Sequence, residues 1–240
     1  MIHIQSTTER NRAHHFDAAS AMFGALDNGL SPRFTSMEEV LSGKFDANIR
    51  HDMYVGSTEF MREIFKKLNV DPRVPFNSPA TPKHTVTIKD AKAILSDGKP
   101  LFVKPATQQK LFTGLVLRNA HFLNTYPDDA MVLMYTPFNA PILSETRVYV
   151  HNKKPMFIGN YSGDIWTFPT KEFVRQIIND VCKDFPVCYT IDVAVLNDDS
   201  LTQHVVEFND MWAIGNYGMA NDLYFALLKD RWTEIIKTGR

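Results

Sequence analysis

The sequence predicts an α+β fold, and three observations predict it. Between residues 84 and 209 apolar and polar side chains alternate in short runs, the period of half-buried strands. Ser57, Thr58 and Thr170 stand just ahead of apolar residues at helical spacing, as helix N-caps do. Pro72, Pro75, Pro79 and Pro82 separate a first unit from the rest, since each fixes φ and discourages both helix and sheet. The expected organisation is a small α/β domain over residues 1–80 and a second domain over residues 81–240.

In chain order, Ile2 to Gln5 reads as a strand, Phe16 to Leu26 as a helix and Ala47 to Arg50 as a short strand. Phe60, Met61, Ile64, Phe65 and Leu68 line one face of a helix capped by Ser57-Thr58. Beyond the prolines, strands are expected at His84 to Lys89, Leu101 to Ala106, Leu111 to Leu117, Val132 to Pro137, Glu145 to His151, Pro155 to Tyr161, Cys188 to Leu196 and His204 to Asn209. Thr170 caps a helix carrying Phe173, Ile177, Ile178 and Val181, and Asn221 opens another with Leu223, Phe225, Leu227 and Leu228. Antiparallel strands with interposed helices give the α+β class.

With 240 residues, 44% apolar and 22% charged, the chain can bury a substantial core. A formal net charge of −1 without blocks of like charge gives no sign of a nucleic-acid or membrane surface. Cys182 and Cys188 have neither metal spacing nor a disulfide framework and read as buried thiols. Ile2-His3-Ile4 leads into polar Gln5-Ser6-Thr7-Thr8-Glu9 without a basic and apolar leader pattern, and no apolar run reaches membrane-spanning length. A cytoplasmic location is expected.

The most informative residues lie late in the chain. Asp192 sits in Tyr189-Thr190-Ile191-Asp192-Val193, and Glu207-Phe208-Asn209 closes the next run. Alternation puts Glu207 and Asn209 on one face and Val206 and Phe208 on the other. With Asn197-Asp198-Asp199-Ser200 as a hairpin loop of about four residues, Asp192 falls opposite Glu207. Two carboxylates and an amide, with no cation expected nearby, suit a hard divalent metal such as Mg²⁺; an acidic hairpin face is the other reading.

Charges inside apolar strands point the same way. Lys104 interrupts Leu101-Phe102-Val103, where burial without a partner is costly, so a phosphate or carboxylate must be close. Lys110 follows in a polar stretch that leads to Thr113 and Gly114, a hydroxyl and an accessible backbone N–H for an anion. Glu145 and Arg147 share the strand face opposite Val148 and Val150. Internal salt bridges would account for each pair alone; together with the acidic trio they equip a site for nucleotide triphosphate binding and phosphoryl transfer.

His14-His15 lacks carboxylate spacing for a metal, and Ser162 in Asn160-Tyr161-Ser162-Gly163-Asp164, read as a turn, lacks a partner histidine. Tyr126, Tyr135 and Phe138 read as core or base-packing residues rather than as a nucleic-acid stacking platform. No phosphate loop or dinucleotide fingerprint occurs.

In the order Phe102-Val103-Lys104-Pro105, Lys110-Leu111-Phe112-Thr113-Gly114, Glu145-Thr146-Arg147-Val148-Tyr149-Val150, Ile191-Asp192-Val193 and Val205-Val206-Glu207-Phe208-Asn209, the chain resembles the ATP-grasp superfamily. It is most similar to the clade named for arginine-to-lysine replacement, common in bacteriophages, to which Tyr54-Val55-Gly56-Ser57-Thr58-Glu59-Phe60-Met61, Ala213-Ile214-Gly215-Asn216-Tyr217-Gly218 and Arg231-Trp232 are similar too. The resemblance implies an ATP-grasp fold: two α+β subdomains clamping a nucleotide, preceded by the small N-terminal domain. It implies ATP and Mg²⁺ as cofactors, with Lys104 on the phosphates and Asp192, Glu207 and Asn209 on the metal. Met131 to Tyr135 would be the strand whose backbone reads adenine, which assigns Met134 and Tyr135 to the nucleotide. Lys110, Glu145 and Arg147 would face phosphates, ribose or the acceptor.

The chain departs from the wider superfamily in carrying Ala106-Thr107-Gln108-Gln109-Lys110 where a glycine run is usual and Thr190 where an arginine often stands. The implied activity is a carboxylate-amine ligase acting through an acyl phosphate on a small molecule, amino acid or peptide, in the host cytoplasm if phage-encoded. The alternatives are a nucleotide-binding regulatory or host-interaction protein without turnover and an ATP-dependent kinase.

Overall fold

A computed structural model describes residues 1–7, 13–42, 52–72, 84–106, 111–112 and 114–239. The expected strand at Ala47 to Arg50 lies outside the described residues, as do Pro75, Pro79, Pro82, Thr113 and Lys110.

The N-terminal unit is a parallel three-stranded sheet ordered β2-β1-β3, from β1 (Ile2–Gln5), β2 (Pro32–Thr35) and β3 (Met53–Val55). Helix α1 (Phe16–Asp27), the short α2 (Met37–Leu41) and α3 (Thr58–Leu68) accompany it. The Ser57 hydroxyl accepts from the Phe60 N–H, and the five apolar residues expected on α3 are all buried. Ser36 and Glu39 form a reciprocal capping box that starts α2. β2, α2 and β3 are too short for their periodicity to stand out in the sequence.

A second sheet, ordered β4-β7-β5-β6, is antiparallel throughout: β4 (His84–Thr87), β5 (Leu101–Pro105), β6 (Leu115–Leu117) and β7 (Met131–Tyr135). The single strand expected from His84 to Lys89 is instead β4 followed by helix α4 (Ile88–Leu95), because the Thr87 side chain caps Asp90 and buries Ile88, Ala91 and Leu95 at helical spacing. The strand expected from Leu111 has its described part only at Leu115–Leu117.

The third sheet, ordered β11-β10-β8-β9, carries the acidic residues: β8 (Ile142–His151), β9 (Lys154–Gly163), β10 (Cys188–Leu196) and β11 (Gln203–Asp210). Asn160 to Gly163 belong to β9 rather than to a free-standing turn. Thr170 caps α5 (Lys171–Asp180), whose Val174 and Ile178 pack on this sheet with Val148, Val150 and Phe208.

The chain closes with α6 (Asn221–Thr238), which packs on α1. Its Phe225, Leu228, Trp232 and Ile235 share one core with Ile4, Tyr54, Phe60 and Ile64 of the N-terminal unit and with Tyr149 and Cys188 of the third sheet. The second sheet keeps a separate core around Val103, Leu123, Val132 and Met134. Both cysteines are buried and free, and no described helix is long and apolar enough to cross a membrane.

Candidate functional site

Register builds the site. β11 pairs with β10 so that Asp192 stands opposite Glu207, as expected, and β10 pairs with β8 so that Asp192 also stands opposite Arg147. β9 adds Gly159 beyond Arg147, completing a cross-strand row Gly159-Arg147-Asp192-Glu207 on one face. The neighbouring row is Phe157-Tyr149-Thr190-Asn209.

Two bulges set what joins these rows. On β11 the pairing shifts between Asp192 and Val193, leaving Val206 as the extra residue, so Val205 rather than Val206 is buried beside Phe208. On β9 the shift between Glu145 and Thr146 leaves Tyr161 as the extra residue, and its hydroxyl donates to Glu145.

The expectation that no cation lies near the acidic trio is corrected. Arg147 grips Asp192 in a fork, Nε to Oδ1 at 2.7 Å and Nη2 to Oδ2 at 2.6 Å. Lys104 reaches across from β5 to Glu207, Nζ to Oε2 at 3.1 Å. Nor do Glu145 and Arg147 pair with each other, since Glu145 engages Tyr161 and Arg147 engages Asp192. Asn209 donates to both carboxylates, at 3.3 Å to Asp192 and 3.1 Å to Glu207.

The electrostatics separate the two carboxylates. Burial pushes Asp192 up to about 6 despite the guanidinium. Burial also pushes against ionisation of Glu207, but Lys104 and the Asn209 amide outweigh it and hold Glu207 below the usual range. Burial raises Glu145 as well, and the neighbouring Glu207 adds to that rise. Burial and the charges of Glu207 and Glu145 push Tyr135 up to about 12, leaving a neutral phenol beside the carboxylates.

Between the second and third sheets lies a cleft of about 1130 Å³ lined by Lys104, Phe102, Tyr135, Glu145, Val206 and Glu207 among others. Phe102 stacks on Tyr135 with centroids 4.7 Å apart, giving the cleft an aromatic wall. Gly114 gives that wall room: a Cβ there would meet the Phe102 ring at 2.5 Å and the Lys104 Cβ at 3.0 Å. This close approach, rather than an accessible N–H, is the visible reason for glycine at 114. Tyr126 instead packs with Phe112 and Phe122 in the second-sheet core.

Of the nine residues singled out in the sequence, Lys104, Glu145, Arg147, Asp192, Glu207 and Asn209 come together. Tyr135 lines the cleft, whereas Met134 is buried in the core of its sheet and paired on both sides, with His84 and Val103. Backbone beyond the sheet begins after Tyr135, through Thr136, Pro137 and Phe138, which also line the cleft. Sequence reasoning missed Arg118 and Lys99, which also line the cleft, and it missed the aromatic cover of Arg147. Tyr161 and Tyr217 stack on each other, centroids 4.9 Å apart, and the Arg147 carbon lies 5.6 and 4.9 Å from their ring centres. His15, a weak metal candidate, caps α1 and pairs with Asp17.

Among the described residues no group of three or more His, Cys, Asp or Glu is arranged to hold a metal. Two carboxylates and an amide nonetheless fit a hard divalent cation, and the Thr190 hydroxyl beside Asn209 is a buried oxygen with no hydrogen-bond partner. Glu207, about a third exposed and facing the cleft, is the accessible member; Asp192, 1% exposed, is held from behind by Arg147.

A family model of the ATP-grasp domain, family 2 of the arginine-to-lysine clade, matches residues 83–227. No curated protein matches the sequence. Among solved structures, the D-alanine–D-alanine ligase of Bacillus anthracis complexed with ATP superposes with a TM-score of 0.55 at 11% identity, over 98% of this chain and 97% of its own. An ATP-grasp RimK domain protein from Sphaerobacter thermophilus gives 0.54 at 12% identity over 96% and 99%. The macrocyclase MdnC of Microcystis aeruginosa, bound with its precursor peptide MdnA, gives 0.55 at 9% over 95% and 100%. At these identities the likeness is one of fold, and it extends over the N-terminal unit as well.

Proposed function

This chain belongs to family 2 of the arginine-to-lysine clade of ATP-grasp domains, and on that premise we propose that it is an ATP- and Mg²⁺-dependent ligase joining a carboxylate to an amine, on an amino acid or a peptide. The observation that carries the reading is the juxtaposition of Lys104 with the Asp192-Glu207-Asn209 patch across one large cleft.

In this reading the adenine lies against Phe102 and Tyr135, and backbone after Tyr135 reads its edge. Lys104 leaves Glu207 for the phosphates, and Glu207, Asn209 and Asp192 hold Mg²⁺. A divalent cation held by these residues would supply positive charge beside the transferring phosphate. A substrate carboxylate oxygen attacks the γ-phosphorus and ADP departs; the amine then attacks the acyl carbon and phosphate departs. Lys104 stabilises the charge that develops in the first step, and Lys110 is assigned to the same phosphates. Glu145, whose proton affinity burial raises, is suited to take the proton the amine sheds.

The part of the acceptor beyond its amine is assigned to a cavity of about 240 Å³ where the N-terminal unit meets the segment after β11, lined by Ser57, Thr58, Trp212, Ile214 and Gly215. The D-alanine–D-alanine ligase and the peptide-bound macrocyclase are named for such substrates, and the shared fold supports carrying them over as a proposal.

The test is incubation with ATP, Mg²⁺ and pools of amino acids and peptides, reading ADP release and product mass for the wild type and Glu207→Ala. A ligated product and ADP that depend on Glu207 support the reading. A stable phosphorylated product would replace it with a kinase, and ATP binding without ADP from any pool would replace it with a regulatory binder.

A further inference from the structure

The segment between β11 and α6 is fastened at several points. The Tyr149 hydroxyl donates to the Gly215 carbonyl, and the Tyr224 hydroxyl donates to the Ile214 carbonyl at 2.6 Å. The Asn216 N–H donates to Asp17 of α1 at 2.7 Å. These ties deliver Tyr217 onto Arg147 with its backbone at φ 44°, a left-handed conformation that a tyrosine rarely adopts. Gly159 admits it: a Cβ there would meet the Tyr217 carbonyl oxygen at 2.6 Å and its Cβ at 3.0 Å.

The surroundings of Arg147 then divide cleanly. Its Nε and Nη2 donate to Asp192, and the Tyr161 and Tyr217 rings cover its guanidinium. It is 6% exposed and does not line the cleft. The cation is thus fixed in orientation by the rings and fixes Asp192 in turn.

We infer that Tyr217 is a positioning residue for the metal site, acting through Arg147 to hold Asp192 in the row with Glu207. The inference rests on the reading that Asp192, Glu207 and Asn209 take Mg²⁺. It gives the N-terminal unit a part in the site, since Asp17 anchors the residue next to Tyr217.

The test is calorimetric ATP binding to the full chain across a series of MgCl₂ concentrations and in its absence. Tyr217→Leu removes the ring but leaves an apolar side chain, Tyr217→Phe keeps the ring, and Gly159→Ala pushes the Tyr217 backbone, and the ring with it, away from β9. The half-saturating Mg²⁺ concentration should rise roughly tenfold in Tyr217→Leu and in Gly159→Ala. Tyr217→Phe should stay within about twofold of the wild type, as a cation–ring contact needs no hydroxyl. ATP affinity without metal should be unchanged in all three. Should the leucine and phenylalanine variants share one Mg²⁺ dependence, the ring has no positioning role and the inference fails alone. Wild-type protein that binds ATP identically with and without Mg²⁺ would overturn the metal-site reading, and the inference with it.

Discussion

Asp192 and Glu207 face each other in one strand pair, yet their removal should affect stability very differently. Asp192→Ala strips a 6% exposed guanidinium of the carboxylate that takes two of its N–H groups. Breaking a buried pair on one side costs about 3–5 kcal/mol, because the remaining charge is left uncompensated. The Tyr161 and Tyr217 rings offset only about 1–2 kcal/mol of that. For a chain of this size the unfolding midpoint should fall by roughly 2–15 °C. Glu207→Ala instead frees Lys104, whose side chain is 33% exposed and can turn to water. That pair contributes less than about 1 kcal/mol, so the midpoint should move by no more than a few degrees. The assay is thermal and urea unfolding of both variants beside the wild type, without nucleotide or metal. Two acidic residues held together only by a missing cation would each stabilise the apo protein when removed. An Asp192→Ala midpoint equal to or above that of the wild type would therefore refute the Arg147-Asp192 lock.

Two further outcomes are expected. Lys104→Ala should weaken ATP roughly ten- to hundredfold, the worth of a hydrogen bond from a charged group, while adenosine binding changes little; equal loss of both ligands would count against the phosphate assignment. His3 is 5% exposed, and burial lowers its pKa below 6.5 even with Asp52 at 3.3 Å. The unfolded chain then takes up a proton that the native chain resists, so stability is full above about pH 6.5 and declines as pH falls through the native pKa. Urea midpoints between pH 5 and 7 should slope downward toward acid for the wild type and flatten for His3→Gln; equal slopes would remove His3 as the source.

The fold was legible where period and length are strong. β10 is found over its expected Cys188–Leu196, and α3 and α5 begin at the caps Ser57 and Thr170. It was least legible where tertiary contacts decide, as in the three-residue β3 and in α4, whose β-branched start at Thr87 and Ile88 looks like continuing strand. In the site, parity along the strands gave Asp192 opposite Glu207, although the hairpin loop is longer than four residues and a bulge restores the register. Bulges also account for the misplaced Val206 and the missed Tyr161, since one inserted residue reverses the face of every later residue in the strand and leaves no mark in an alternating pattern. Tyr217 comes from an irregular segment, where no period exists to read. Arg147 was seen, but its partner was not, because the β8–β10 pairing joins residues 45 apart in sequence.

The core that joins α6 to the N-terminal unit bears on how the chain can be cut and how it assembles. Ile4, Tyr54, Phe60 and Ile64 of the N-terminal unit and the apolar face of α6 bury each other, together with Tyr149 and Cys188 on the same sheet face as Arg147 and Asp192. A fragment beginning at residue 81 would leave the α6 face of Phe225, Leu228, Trp232 and Ile235 without its cover, and a fragment ending at residue 80 would lack the helix that seals its own interior. Elements far apart in the chain therefore complete one another, so this core closes only after α6 has been made. The second sheet has no such dependence: with Val103, Val132 and Met134 enclosed among its own elements, it can form as a local unit and bring Lys104 with it to the third sheet.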